Sequence, residues 1–165
     1  MKKTSLLLVL FFATSLLFSQ SNKKELTWNS FNDGIAKAKA SNKKILIDVY
    51  TDWCKWCKKM DEEVYTDAQV KAYLNKNFVI IKLNAEGQGK IKYHDKEISP
   101  AEFAQGIGVS GYPATAFLQS DGEPITLLPG YSEASIFIHV LSFIGEDQYQ
   151  KKKFDDYLKE KGVKQ

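Results

Sequence analysis

The sequence predicts an α/β fold in which a small mixed sheet of about four to five strands is flanked by helices on both faces. Apolar runs of strand length recur at Ile45–Tyr50, Phe78–Leu83 and Ala114–Gln119. Helix-periodic segments with capping residues separate them, so the first strands are expected to run parallel. Asp121-Gly122 then supplies a hairpin turn signal, with Ile125–Leu128 as an antiparallel partner.

Each element has its own warrant. Residues 22–44 are polar with one apolar stripe, Trp28, Phe31, Ile35, Ala36 and Ala38, which predicts a helix with Asn29 as N-cap; Gly34 weakens it. Ile45–Tyr50 is almost continuously apolar, which suits a strand buried on both faces. A helix follows from about Cys54. Thr66-Asp67-Ala68-Gln69 reads as a capping box opening a second helix through Leu74. Residues 85–97 are charged and contain glycine, which predicts a surface loop. Ser99-Pro100-Ala101-Glu102 is a further capping box with proline at the first helical position, and its helix should end near Gly106. Ser132 is read as the cap of a helix that places Ile136, Phe137, Val140, Leu141 and Ile144 on one face and closes at Gly145. A helical extension from about 146 carries Tyr149, Phe154, Tyr157 and Leu158.

The 165 residues suit one domain behind a leader. Lys2-Lys3, an apolar core within Ser5–Phe18 and the small and polar exit Ser19-Gln20-Ser21 make residues 1–19 a secretory signal peptide, with the domain over 20–165. The Ser5–Phe18 stretch is 14 residues, short of the ~20 that span a bilayer; an uncleaved membrane anchor is the alternative. The chain is therefore expected to be exported and periplasmic. Loss of the leader leaves 21 of the 23 basic residues against 20 acidic ones. Every basic residue is lysine, and without arginine bidentate recognition of phosphate or guanine has little support. Nucleic acid is not an expected partner, and no glycine-rich phosphate loop is present.

The two cysteines stand in Trp53-Cys54-Lys55-Trp56-Cys57, directly after the first strand. At the start of a helix, backbone N–H groups and the helix dipole stabilise a thiolate at Cys54. Cys57, one turn on, is placed to attack a mixed disulfide formed there. A clamp gains little from this spacing: the chain-entropy model gives about 2 kcal/mol for a four-residue loop against about 3 for fifteen. A zinc site wants four ligands, and His94 and His139 are remote in sequence, so no metal or other cofactor is expected. A structural bridge and an adventitious soft-metal site are the alternatives to a redox pair.

Ile45–Tyr50 with Asp48, followed by Thr51-Asp52-Trp53-Cys54-Lys55-Trp56-Cys57, resembles the active site of the thioredoxin fold, and Gly111-Tyr112-Pro113-Ala114-Thr115 resembles that fold's cis-proline loop. Asp52–Met60, continued by Val64-Tyr65-Thr66-Asp67, is similar to exported thioredoxin-like proteins and to the C-terminal domain of the bacterial DsbD thiol:disulfide interchange proteins. The resemblance covers most of residues 25–145. It implies a thiol–disulfide oxidoreductase in which Cys54 attacks, partly exposed, and the more buried Cys57 resolves. Asp48 would be the buried acid that takes the Cys57 proton. Pro113 would be cis, leaving Tyr112 backbone to pair with an extended substrate. Trp53, Trp56, Tyr112 and Pro113 would contact substrate, and Lys82 would pair with Asp48. For Asp48 the alternative is a strand-end acid, for Pro113 a trans turn proline, for Trp53 core packing.

The resemblance further implies disulfide-containing protein partners, a membrane electron donor and a monomer. Lys55-Trp56 replaces the Gly-Pro of thioredoxins, and residues between the cysteines tune the potential. The reducing direction is favoured; an isomerase or oxidase, or a binding or chaperone module on the same scaffold, are the rivals. His94 is read as a solvated loop histidine, with an approach to the active face as the alternative, and His139 as packing or surface.

Overall fold

The computed structural model describes residues 25–163; the leader expected over 1–19 lies outside them. The elements are α1 (Phe31–Ser41), β1 (Lys44–Tyr50), α2 (Lys55–Lys59) running directly into a π turn (Met60–Val64), α3 (Ala68–Asn77), β2 (Phe78–Asn84), β3 (Ile91–Tyr93), β4 (Lys96–Ile98), α4 (Pro100–Gly106), β5 (Ala114–Leu118), β6 (Pro124–Pro129), α5 (Ala134–Gly145), a short 3₁₀ turn (Gln148–Gln150) and α6 (Phe154–Glu160). The main sheet has the order β2-β1-β5-β6, parallel between β1 and β2 and antiparallel elsewhere.

Alternation along β1 divides the interior in two. Ile45, Ile47 and Val49 join Val79, Ile81 and Leu83 beneath α1 and α4, with Phe31 and Phe103. Leu46 joins Ile80 and Phe117 on the opposite face, against Met60, Val64, Tyr65, Leu74 and the α5 residues Phe137 and Leu141. Asp48 shares that second face with Leu46, so the continuous apolar run does mark a strand covered on both sides.

Several boundaries differ from expectation. Helix α1 starts at Phe31 with Ser30 as its cap, its hydroxyl accepting the Asp33 N–H at 3.3 Å. Asn29 instead extends the sheet edge: its N–H donates to Ile80 O at 3.0 Å and its side-chain amide to the same oxygen at 2.8 Å. At α3 the Thr66 hydroxyl donates back to Glu62 O at 2.6 Å, closing the preceding turn. Asp67 is the cap, accepting from Gln69 and Val70 N–H at 2.9 and 3.0 Å. Helix α5 is led by Glu133 rather than Ser132, because the Glu133 carbonyl closes the first turn by accepting the Phe137 N–H at 2.8 Å. Phe143 is buried with Phe137, Val140, Leu141 and Ile144, whereas Ile136 is only half-buried. The Ser99–Glu102 capping box forms as expected, Ser99 N–H donating to Glu102 Oε2 at 2.6 Å and Glu102 N–H to Ser99 Oγ at 3.1 Å.

The segment expected as a loop over 85–97 contains the β3–β4 hairpin. Its apolar residues anchor it: Ile91 is buried, and Tyr93 packs edge-on against Phe103 at 5.0 Å and donates its hydroxyl to Gly122 O at 3.1 Å. Gly122, at φ 97°, takes the left-handed position of the β5–β6 turn. Among the described residues, no helix is long and apolar enough to cross a membrane.

Candidate active site

Strand β1 ends at Tyr50, Thr51 is buried, and Cys54 N–H returns to Thr51 O at 3.2 Å. This tight exit makes Cys54 the N-cap of α2, its sulfur accepting the Cys57 N–H at 3.1 Å. Cys54 and Cys57 form a disulfide of 2.06 Å with Cα atoms 5.3 Å apart. The expected difference in exposure between them is absent in this state: Cys54 is 4 % exposed and Cys57 3 %. The exposed groups are their neighbours, Trp53 at 65 % and Trp56 at 56 %. That removes the core-packing reading of Trp53.

Each tryptophan is held by a separate rim. Trp53 Nε1–H donates to both Glu86 oxygens at 3.0 Å, and its ring meets Tyr112 edge-to-face at 6.0 Å. Asn84 completes the clip, donating to Asp52 Oδ2 at 3.1 Å and accepting the Glu86 N–H at 2.9 Å. On the other side Trp56 leans on Tyr131 at 5.4 Å, with Lys59 Nζ over both rings at 5.2 and 4.9 Å. Tyr131 donates to Glu63 Oε2 at 2.8 Å, a bond that raises the pKa of its phenol. The Tyr112–Pro113 bond is cis, as the resemblance implies, and Pro113 O accepts the Gly130 N–H at 2.8 Å. Glu86, Tyr131 and Glu63 were not picked out in the sequence: their roles come from contacts 33 and 68 positions apart.

Asp48 is fully buried in the middle of β1, not at a strand end. Its register partners are Lys82 on β2 and Thr115 on β5. Lys82 Nζ stands 2.9 Å from Asp48 Oδ2 as an ion pair. Lys82 also pairs with Asp61. Burial raises the Asp48 pKa above 3.8; Lys82 opposes this and the Asp61 charge adds to it. For Lys82 burial acts downward, but the two carboxylates outweigh it and its pKa is raised. The hydroxyls of Thr51, Tyr65 and Thr115 are buried as well. Burial, then the Asp48 charge, pushes the Tyr65 phenol well above its usual value.

His94 lies in the turn of the β3–β4 hairpin, its Nε2 3.7 Å from Glu123 Oε1. It borders a groove of about 500 Å³ with Asp121 and Gly122, at the end of the sheet where β1 begins, opposite the cysteines. His139 is half-buried in α5. Among the described residues, no group of three or more His, Cys, Asp or Glu side chains converges to hold a metal ion.

Known proteins are similar to this chain in fold and sequence. A solved thioredoxin-fold protein from Helicobacter pylori superposes with a TM-score of 0.59 at 27 % identity, covering 73 % of this chain and 80 % of that one. The thiol:disulfide interchange protein DsbD of Vibrio vulnificus is 28 % identical over 106 residues, 63 % of this chain and 16 % of DsbD. An uncharacterized protein of Caenorhabditis elegans is 34 % identical over 94 residues, 57 % of this chain and 12 % of that protein. The chain thus spans less than a fifth of the length of these two curated relatives, 16 % and 12 %. Thioredoxin fold, C-x-x-C disulfide and DsbD likeness agree on thiol–disulfide chemistry at a general level, and the model of the Thioredox_DsbH family (protein of unknown function, DUF255) matches residues 9–160: the chain belongs to that family.

Proposed function

We propose that this chain is an exported protein-disulfide oxidoreductase that reduces disulfides of partner proteins. The observation that carries the reading is a closed Cys54–Cys57 pair at a helix start, set between two exposed tryptophans and a cis-proline. In the reduced form the Cys54 thiolate, favoured by the α2 N-terminus and the neighbouring Lys55 cation, attacks one sulfur of a partner disulfide. The other partner sulfur leaves as a thiolate. Asp48 takes the Cys57 proton, and the Cys57 thiolate attacks the Cys54 sulfur of the mixed disulfide. The second partner sulfur leaves, and two electrons have passed from the Cys54/Cys57 dithiol to the partner. Trp53, Trp56 and Tyr112 offer the partner an apolar contact, and Tyr112 backbone offers it a strand edge.

Export rests on the leader at 1–19, and the likeness to DsbD supports a periplasmic site of action. Each turnover leaves Cys54–Cys57 as a disulfide, and an oxidising compartment does not reopen it, so the cycle requires an electron donor, which we place at the membrane.

Reduction of insulin disulfides is expected to vanish in Cys54→Ser. Cys57→Ser is expected to accumulate adducts with exported proteins that dissolve on treatment with reductant. A glutathione titration separates the directions: a potential near about −270 mV fits a reductase, one near about −120 mV an oxidant. If Cys54 alkylates no faster than free cysteine and Cys57→Ser traps nothing, the reading fails.

A further inference from the structure

Lys82 serves two carboxylates. From β2 its ammonium reaches Asp48 Oδ2 at 2.9 Å and also pairs with Asp61. Asp61 lies in the π turn Met60–Val64, closed by Tyr65 N–H donating to Met60 O at 3.0 Å. Such turns insert one residue into a helix and re-aim the side chains around it. The rings of Trp28, Tyr50 and Tyr65 close further sides of the ammonium, their centroids at 5.0, 5.3 and 5.5 Å. The Lys82 side chain is 20 % exposed, that of Asp48 1 % and that of Asp61 44 %. The ammonium is therefore caged, and the buried acid shares it with a half-exposed one.

Sharing changes what Asp48 can do. A lysine held by Asp48 alone would neutralise it and leave a weak base. A lysine drawn partly to Asp61 leaves the buried carboxylate less compensated and more ready to accept a proton. The charged and titratable groups that bear on Asp48 are Lys82 from β2 and Asp61 and Tyr65 from the segment after α2, joined in the reduced protein by the Cys57 thiol of α2 on the reading above; β5 contributes the uncharged Thr115 hydroxyl. We propose that Asp61 is a positioning residue that sets the basicity of Asp48 by holding part of Lys82. This rests on the reading above, in which Asp48 receives the Cys57 proton.

The test follows the carbon resonance of the Asp48 carboxyl with pH in the reduced protein. In Asp61→Asn the midpoint is expected to fall, because release of Lys82 to Asp48 and loss of a like charge both favour the carboxylate. Asp61→Glu is expected to restore it. Lys82→Met isolates the route: in that background Asp61→Asn is expected to move the midpoint less than in the wild type. An unmoved midpoint overturns the proposal. So does an equal displacement in both backgrounds, which would make Asp61 a plain charge acting through space. The pH profile of single-turnover disulfide reduction tests the underlying reading separately. If the carboxyl midpoint moves and the rate profile does not, Asp48 is not the base for Cys57, while the control of its basicity by Asp61 stands.

Discussion

At the scale of single residues, Asp48 is held against its own solvation. Its folded pKa is raised above 3.8, with burial as the main cause. Between the unfolded and folded values the folded protein therefore holds more protons than the unfolded one, so stability falls as pH rises through that window. The loss is complete above the folded value and absent below about 3.8. Asp48→Asn removes the charge and leaves Lys82 its pair with Asp61. At pH 7 the variant is expected to be more stable than the wild type by about 1 kcal/mol or more in urea unfolding of the disulfide form, with the gap closing towards acid. A less stable variant at pH 7 would mean that the Lys82 pair outweighs the cost of burial. Asp48, Cys54, Cys57 and Pro113 could be found in the sequence because each sits in a local motif. Asp61, Glu86 and Tyr131 could not: an acid within Met60-Asp61-Glu62-Glu63 looks like any solvated face until the fold brings β2 beside it.

At the scale of elements, order was readable and edges were not. The main strands and the helices between them follow from apolar period and caps, and the Ser99–Glu102 box forms as expected because all its partners lie within four residues. The β3–β4 hairpin was hidden because strands of three residues are too short for a period to show, and its anchors, Phe103 and Gly122, come from later in the chain. Gly34 teaches the same lesson. In the sequence it weakens α1, but in the fold it is what lets α1 approach β2: a Cβ there would lie 2.3 and 2.5 Å from Cγ1 and Cδ1 of Ile81, which is fully buried. Gly34→Ala gains about 1 kcal/mol of helix propensity and meets an overpacking cost of about 1–3 kcal/mol. Both Cγ1 and Cδ1 of a side chain already enclosed in the core would have to shift, so the cost is expected to win by about 1 kcal/mol, read as a lower urea midpoint. An unchanged or higher midpoint would show that the α1–β2 contact yields.

At the scale of the whole molecule, the sheet has two working ends. The cysteines, the tryptophans and Pro113 gather where β1 stops and β5 starts. The segment after Gly145 is fastened at the other end: Lys44, at the start of β1, pairs with Asp147 at 3.0 Å, and Gln119, just past β5, donates to Tyr149 at 2.9 Å. The tail also joins the core, with Tyr157 and Leu158 buried and Tyr157 5.3 Å from Phe143 of α5. Of these contacts the apolar ones carry the energy. Burial of a large apolar side chain contributes about 1.5–3 kcal/mol, whereas an ion pair with an exposed partner such as Lys44–Asp147 contributes at most about 1 kcal/mol. Truncation after Glu146 is therefore expected to lower stability by about 3–6 kcal/mol, two such burials, seen as a large drop in the denaturation midpoint. Tyr157→Ala or Leu158→Ala alone should give a good part of that drop, while Asp147→Asn should give little. Because the fastening points lie opposite the disulfide, the glutathione equilibrium of Cys54–Cys57 in the folded single-residue variants is expected to match the wild type. A shifted equilibrium in folded Leu158→Ala would mean that packing under α5 reaches the redox pair, and the separation of the two ends would have to be abandoned.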